Sequence, residues 1–203
     1  MVTLPEWKHI KETPPPADAP FTTVMTWAYL AGKLTHKGVE YGTKVPEYAR
    51  FHDLPRRTNI PLMLAVGGPK APLAEIAADG WRTIPANDAT LTARNYQDFI
   101  RDSQGEWSVA KNVYTATRSG WFSCRTACYL AAGRPAVVQE TGWSKFVPSG
   151  KGLIAFSTME EAIAGLKEVT RDPMANRAAA YEIAREYLAP DRVLPGMIEA
   201  IVK

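Results

Sequence analysis

The sequence predicts an α/β fold in which a mostly parallel sheet is doubly wound, with helices on both faces. Short, wholly apolar runs such as Pro61–Val66 and Leu153–Phe156 are typical of strands buried on both sides. They alternate with segments of helical periodicity, such as Met159, Ile163 and Leu166. Because the intervening lengths require parallel crossovers, we expect an open Rossmann-like sheet.

Composition favours one substantial domain with a hydrophobic core. Of 203 residues, 46% are hydrophobic and 22% are charged. The net charge of +3 comes from basic and acidic residues mixed along the chain, so no nucleic-acid partner is expected. No apolar run approaches a membrane span, and the N-terminus does not resemble a signal peptide. We therefore expect a cytoplasmic protein with no membrane span.

Residues 1–20 are predicted to form a proline-rich arm or linker, and residues 21–203 the Rossmann-like domain. Prolines remove backbone donors and hold the arm extended. They stand at Pro5, Pro14, Pro15, Pro16 and Pro20.

Within the domain, β-branched and aromatic residues over Phe21–Trp27 predict the first strand. Further strands are predicted at Pro61–Val66, Trp81–Ile84, Glu106–Ala110, Ala136–Gln139 and Leu153–Phe156. Helices are predicted at Glu47–Leu54, Pro72–Ala78, Asn95–Arg101 and Ser123–Ala132, then behind Ser157, from Asp172 to about Leu188, and from Asp191.

Several helix ends carry their own signals. Ser123 is a plausible N-cap, and Gly133 with Pro135 ends the same helix. Ser157 with Glu160 matches a capping box, and Asp172-Pro173 suits an N-cap followed by a first-turn proline.

Ligands of such sheets bind where the strands end at their carboxyl termini. The candidate loops there are 27–42, 67–70, 111–123 and 140–152. The third contains Lys111, Asn112, Arg118, Ser119 and Gly120 before a helix whose free amide groups favour an anion such as a diphosphate. Alternatively, Ser119-Gly120 is only a turn, Ser123 only a cap and Arg118 a solvated charge. The absence of a P-loop or Gly-x-Gly-x-x-Gly pattern argues against a Walker-type nucleotidase or a dehydrogenase.

Other candidates have competing interpretations. Trp107, Trp121 and Trp143 flank predicted strand ends, where an indole stacks on a base or sugar, although core packing is the commoner role. Glu140 follows a buried strand, a position suited to binding a ligand hydroxyl, to capping a helix or to forming a salt bridge. Cys124 and Cys128 are expected to be reduced thiols; with no second cysteine pair and only isolated histidines, no metal site is predicted.

The order of these segments resembles the donor-binding C-terminal domain of GT-B glycosyltransferases, and in particular bacterial glycosyltransferase-like proteins of the spore-maturation CgeB type. The similarity extends upstream to Phe21–Trp27 and Tyr41-Gly42. Its motifs are Tyr96–Ser103, Glu106–Lys111, Arg118–Ser123, Ala-Ala-Gly-Arg-Pro within Tyr129–Pro135, Gln139–Gly142 and Gly150–Phe156.

This resemblance implies a nucleotide-sugar donor and an acceptor held by a separate domain, on this or another chain. Carried over, Lys111, Ser119, Gly120 and the Thr141-Gly142 turn would line the donor cleft, with backbone donors around Trp121 assisting. No metal or other cofactor is implied. Retaining members commonly have a ribose-binding glutamate in the helix, where this sequence has Cys128, and a GT-B enzyme needs two such domains.

The leading hypothesis is therefore a glycosyltransferase donor domain, with Lys111 and Arg118 contacting the diphosphate. One alternative is a non-catalytic nucleotide-sugar-binding module or truncated relative. Another is a phosphate-ester enzyme of different Rossmann type, which would lose its hydrolytic activity in Lys111→Ala. Neither the sugar, the base nor the acceptor follows from the sequence.

Overall fold

A computed structural model describes residues 1–27 and 34–202 of the chain. Six parallel strands form the main sheet in the order β5-β4-β1-β6-β7-β8, and β2 and β3 form a separate antiparallel hairpin. The strands are β1 (Phe21–Thr26), β2 (Leu34–His36), β3 (Val39–Tyr41), β4 (Leu62–Gly67), β5 (Arg82–Pro85), β6 (Gly105–Ser108), β7 (Ala136–Gln139) and β8 (Leu153–Phe156). The predicted doubly wound α/β fold is confirmed.

Helices connect the strands across both faces of the sheet. They are α1 (Lys8–Lys11), α2 (Val45–Phe51), α3 (Leu54–Arg57), α4 (Leu73–Ala78), α5 (Ala86–Thr90), α6 (Ala93–Arg101), α7 (Asn112–Thr117), α8 (Cys124–Ala131), α9 (Met159–Arg171), α10 (Pro173–Ile183) and α11 (Pro190–Val202). A π-helical turn at Ala184–Leu188 continues α10. No helix among the described residues is both long and apolar enough to cross a bilayer.

The strand order reverses between β1 and β6. From β1 the chain proceeds outward through β4 and β5, then returns to β6 and proceeds outward on the other side. β1 pairs with β4 from Phe21↔Leu62 to Thr26↔Gly67, but with β6 only at Phe21↔Gly105 and Thr22↔Glu106. The two central strands therefore separate toward their carboxyl ends, which opens the crevice where doubly wound sheets bind ligands.

Each face of the sheet buries its own apolar cluster. One contains the aromatic group of Phe51, Trp107 and Phe156, in which the rings of Trp107 and Phe156 are stacked at 5.7 Å. The other contains Tyr129 and Trp143. Trp107 and Trp143 are thus core residues, which agrees with core packing as the commoner of the two roles considered from the sequence.

Most predicted strands and helices are confirmed within one or two residues at each end, but three local predictions are wrong. The capping box of α9 is formed by Thr158 and Glu161 rather than by Ser157 and Glu160. The predicted helix Glu47–Leu54 is two helices, because proline is accommodated in a first turn and Pro55 is the second residue of α3. The loop 111–123 contains α7.

The N-terminal segment also differs from the expected extended arm. Leu4–Trp7 forms a 3₁₀ helix that leads into α1, and Trp7 and Ile10 are buried in the second apolar cluster. Apolar burial outweighs the effect of the prolines here because Pro5 lies in a first turn, where it costs no hydrogen bond. The division of the chain at residue 20 stays a prediction.

Candidate functional site

A cleft of about 140 Å³ lies at the carboxyl ends of β6 and β7. Its floor is the end of both strands, and its walls come from α7, the following loop and the first turns of α8. The lining residues are Lys44, Ser108, Val109, Ala110, Lys111, Tyr114, Trp121, Phe122, Ser123, Arg125, Thr126, Val138, Gln139, Thr141 and Trp143. This is the edge of the sheet at which the sequence placed the ligand.

Backbone contacts fix the wall that carries Trp121. The Gly120 amide donates to the Thr141 carbonyl at 2.8 Å, and the Thr141 hydroxyl donates to the Trp121 carbonyl at 2.6 Å. Gly142 completes this contact with a φ of +99°, and a Cβ there would lie 2.7 Å from the Arg118 carbonyl oxygen. The loop after α7 and the turn after β7 are thereby held together, and only glycine fits at the junction.

Trp121 presents an aromatic face at the mouth of the cleft. Its ring stacks on Tyr114 at 4.6 Å with an interplanar angle of 12°, and the residue is 45% exposed. The ring is thus supported from behind while its outer face is open. Such a surface suits stacking against a base or the apolar face of a sugar.

Arg125 occupies the gap between β1 and β6. Its Nε donates to Oε1 of Glu106 at 2.6 Å, and its Nη1 donates to the Val24 carbonyl at 2.7 Å. Nη2 makes no hydrogen bond to a described residue. Burial lowers the pKa of Arg125, but the carboxylate of Glu106, which is 0% exposed, outweighs this and raises it overall. The guanidinium is therefore charged and held in one orientation against the cleft.

Lys44 adds a second cation from a distant part of the sequence. It immediately precedes α2 and lines the cleft together with Lys111 and Arg125. Burial, the positive charge of Arg125 and that of Lys111 lower the pKa of Lys44 well below its ordinary value, while Glu106 opposes the shift. Since Glu106 is already paired with Arg125, an anion in the cleft would favour the charged form of Lys44.

A buried hydrogen-bond network anchors α2, and with it Lys44, to the floor of the cleft. The side-chain amide of Gln139 donates to Glu47 at 2.5 Å and accepts from the Ala110 amide at 2.9 Å. Glu47 also accepts from Thr115 and from Arg50. Because the polar groups of this network are hydrogen-bonded to one another, the network makes the geometry of the cleft rigid.

The predicted site residues divide into two groups. Lys111, Trp121 and Thr141 line the cleft. The others lie behind or beside this lining; they are Asn112, Arg118, Ser119, Gly120, Glu140 and Gly142. Their predicted part in ligand binding stays a prediction.

Three residues of the second group have visible local roles. The Asn112 amide donates to the Glu40 carbonyl at 2.7 Å and accepts from the Gly42 amide at 3.0 Å, which attaches the β2–β3 hairpin to α7. Arg118 is exposed and ends α7 in the left-handed conformation. Glu140 accepts a hydrogen bond from the Gly142 amide and so closes the turn after β7.

The sequence analysis missed Lys44, Glu106 and Arg125. Lys44 stands 67 positions before Lys111 in the chain, and Arg125 follows the N-cap Ser123 as an ordinary helical residue. A charged Glu106 within a predicted buried strand was the one available signal, since a buried carboxylate requires a cation.

Neither thiol contributes to the lining of the cleft. Burial raises the pKa of the Cys128 thiol to about 11, and Cys124 is exposed. Among residues 1–27 and 34–202, no group of three or more His, Cys, Asp or Glu is placed to hold a metal ion.

Comparison with solved structures identifies the fold. No protein-family model matches the chain, and no curated protein matches it in sequence. The crystal structure of the GtfA/B complex superposes with a TM-score of 0.54 at 14% identity, over 93% of this chain and 37% of the other. TarM superposes with a TM-score of 0.55 at 12% identity, over 92% of this chain and 36% of TarM. These neighbours are GT-B glycosyltransferases, and this chain spans little more than a third of their length. The chain has the Rossmann-like α/β fold found in them.

Proposed function

We propose that the chain binds a nucleoside diphosphate sugar in the cleft and serves as the donor-binding domain of a GT-B glycosyltransferase related to the CgeB type. The observation that carries this proposal is the convergence of three basic side chains at the point where the strand order reverses. There Lys44, Lys111 and Arg125 line the cleft, and Glu106 lies behind the lining, paired with Arg125.

A diphosphate is the ligand group that this charge suits best. Its negative charge would meet the two lysines and the guanidinium, and the first turn of α8, which begins at Cys124, lines the same cleft through Arg125 and Thr126. During transfer the sugar departs through an oxocarbenium-like transition state and leaves its electrons on the diphosphate. Cations held in position beforehand stabilise that developing charge without reorganisation.

Trp121 and Tyr114 supply the second half of the proposed site. With the diphosphate beside Lys111, one end of the donor extends toward the exposed face of Trp121, where the indole stacks on a ring. The acceptor is assigned to a second domain, on this or another chain.

Calorimetry tests the donor site directly. UDP-, GDP- and TDP-sugars would each be titrated into the wild type and into Lys111→Ala. We expect one base series to bind the wild type and to bind Lys111→Ala about tenfold more weakly or worse, as loss of a charged hydrogen bond implies. Lys167→Ala, which removes an exposed lysine of α9, is the matched control. Absence of binding by every nucleotide at millimolar concentration would overturn the proposal.

A binding module without turnover is the second candidate, and Cys128 favours it. This residue stands where the resemblance leads one to expect a ribose-binding glutamate. Donor binding without transfer or hydrolysis by the purified chain would select the module, whereas turnover would select the enzyme.

A further inference from the structure

Two arginine side chains meet beneath the N-terminal segment, at the edge of the sheet opposite the cleft. Arg134 belongs to the Ala-Ala-Gly-Arg-Pro motif and lies two positions before the start of β7, and Arg177 lies in α10. Arg134 is 0% exposed. The proposed donor site uses neither of them.

Backbone carbonyls are the hydrogen-bond acceptors of this pair. Nη2 of Arg134 donates to the carbonyls of Thr13 at 2.9 Å and Arg101 at 2.7 Å. Nη2 of Arg177 donates to the carbonyls of Lys11 at 2.9 Å and Thr13 at 3.2 Å. Nε and Nη1 of Arg134 and Nε of Arg177 are buried without a partner among the described residues. Three buried donor atoms thus lack an acceptor among the described residues, which is unusual for buried polar groups.

The positive charge of the pair is also uncompensated. No carboxylate in the described part of the chain forms an ion pair with either guanidinium, and Asp102, the acidic group that favours charged Arg134, is paired with Arg101 at 2.8 Å. Burial and the neighbouring Arg177 lower the pKa of Arg134 to about 10. Burial likewise lowers the pKa of Arg177. A counter-ion would relieve both effects.

A cavity of about 360 Å³ opens to solvent beside Arg177, and Arg134 lies outside its lining. Arg177 lines it, and among the described residues Nη1 of Arg177 has only the sulfur of Met174, at 4.0 Å, as a partner. Lys11 contributes a further cation to the lining, and the one acidic lining residue, Glu12, is exposed and unpaired with either arginine. Gly133 makes room for this arrangement, since a Cβ there would lie 3.3 Å from Cγ of Lys11.

We propose that this cavity binds an oxyanion, a phosphate or sulfate group, with Arg177 as the contact residue and Arg134 as the buried charge behind it. A tetrahedral oxyanion offers several acceptors and the negative charge that the site lacks. The site shares no lining residue with the cleft.

Nitrogen-edited NMR of the arginine Nε–H groups in the full chain tests this site, because two of the three unpartnered donors are Nε atoms. Inorganic phosphate and sulfate would be titrated against chloride at matched ionic strength. We expect saturable shifts of the Arg134 and Arg177 signals with phosphate and sulfate but not with chloride. Glycerol phosphate is titrated in the same way. If it also shifts both arginine signals, the site accepts a phosphoryl group carried by a larger molecule; if only the inorganic ions shift them, the site is selective for a free ion.

Variants assign the shifts to this cavity and not to the cleft. Arg177→Met should abolish the saturable shift of Arg134, Arg177→Lys should weaken phosphate binding severalfold, and Lys111→Ala should leave it unchanged. Equal shifts with chloride, shifts that fail to saturate in the wild type, or loss of the effect in Lys111→Ala would overturn the proposal. The wild-type titration decides the question even where an Arg177 variant does not fold.

Discussion

At the scale of single residues, Lys44 is the most informative side chain of the cleft, because its charge depends on what the cleft contains. Its pKa lies well below the ordinary 10.5, owing to burial and to Arg125, so it loses its proton at lower pH than an exposed lysine. A bound anion favours the charged amine and therefore raises this pKa. Donor affinity that depends on Lys44 must then fall as the pH rises through the lowered pKa.

This predicts a pH dependence that disappears in Lys44→Met. The ratio of wild-type to Lys44→Met affinity for the nucleotide is expected to decline toward one across the interval between the lowered pKa of Lys44 and the ordinary lysine range. Taking the ratio removes the titration of the ligand itself, and isothermal calorimetry at each pH supplies both affinities. A ratio that stays constant over this interval would contradict the assignment of Lys44 to the donor site.

The same residues show how far the sequence predicts the site. Lys111 and Thr141 follow strand ends, and Trp121 lies in the loop that leads from α7 to α8 at the same edge of the sheet. The topology of a parallel sheet is enough to bring such positions together. Lys44 reaches the cleft only through the docking of α2 on the Gln139–Glu47 network, which depends on tertiary packing. Arg125 was missed because helical spacing does not reveal that β1 and β6 separate and leave a gap for its guanidinium.

At the scale of secondary structure elements, the position of the capping box of α9 cannot be predicted from the sequence, and mutations can test it. Both Ser157 with Glu160 and Thr158 with Glu161 satisfy the capping-box pattern, so the sequence alone does not choose between them. In the structure the Thr158 hydroxyl accepts from the Glu161 amide at 3.2 Å, and the Glu161 carboxylate accepts from the Thr158 amide. Strands such as β7 and β8 are less ambiguous, because glycine or proline precedes each apolar run.

We therefore expect Thr158→Ala to lower the free energy of unfolding by about 1 kcal/mol, the usual cost of losing an N-cap side chain. Ser157→Ala is the matched control and should change it by less than about 0.5 kcal/mol, as for an ordinary surface substitution. Chemical denaturation of both variants measures the difference. A larger loss in Ser157→Ala than in Thr158→Ala would show that the cap lies one residue earlier.

At the scale of the whole molecule, the N-terminal segment connects elements that are distant in sequence. The Val2 amide donates to the Leu188 carbonyl at 2.9 Å, and the Trp7 ring meets Tyr96 of α6 edge-on at 6.2 Å. Arg134 donates to the carbonyl of Thr13, and Arg177 donates to the carbonyls of Lys11 and Thr13. Proline content predicted a linker here because composition reports backbone stiffness and carries no information on which apolar side chains find a partner.

The burial of this segment predicts that it stabilises the domain. Ile10 is 0% exposed, so Ile10→Ala should lower the free energy of unfolding by about 2–5 kcal/mol through lost packing and a residual cavity. Lys8→Ala, two residues away on the exposed side of α1, should lower it by less than about 0.5 kcal/mol. Denaturant unfolding followed by tryptophan fluorescence and by circular dichroism gives both values. Equal, small changes in the two variants would mean that residues 1–20 behave as the independent arm that their prolines suggest, whereas the expected difference makes them part of the folding unit that carries the cleft.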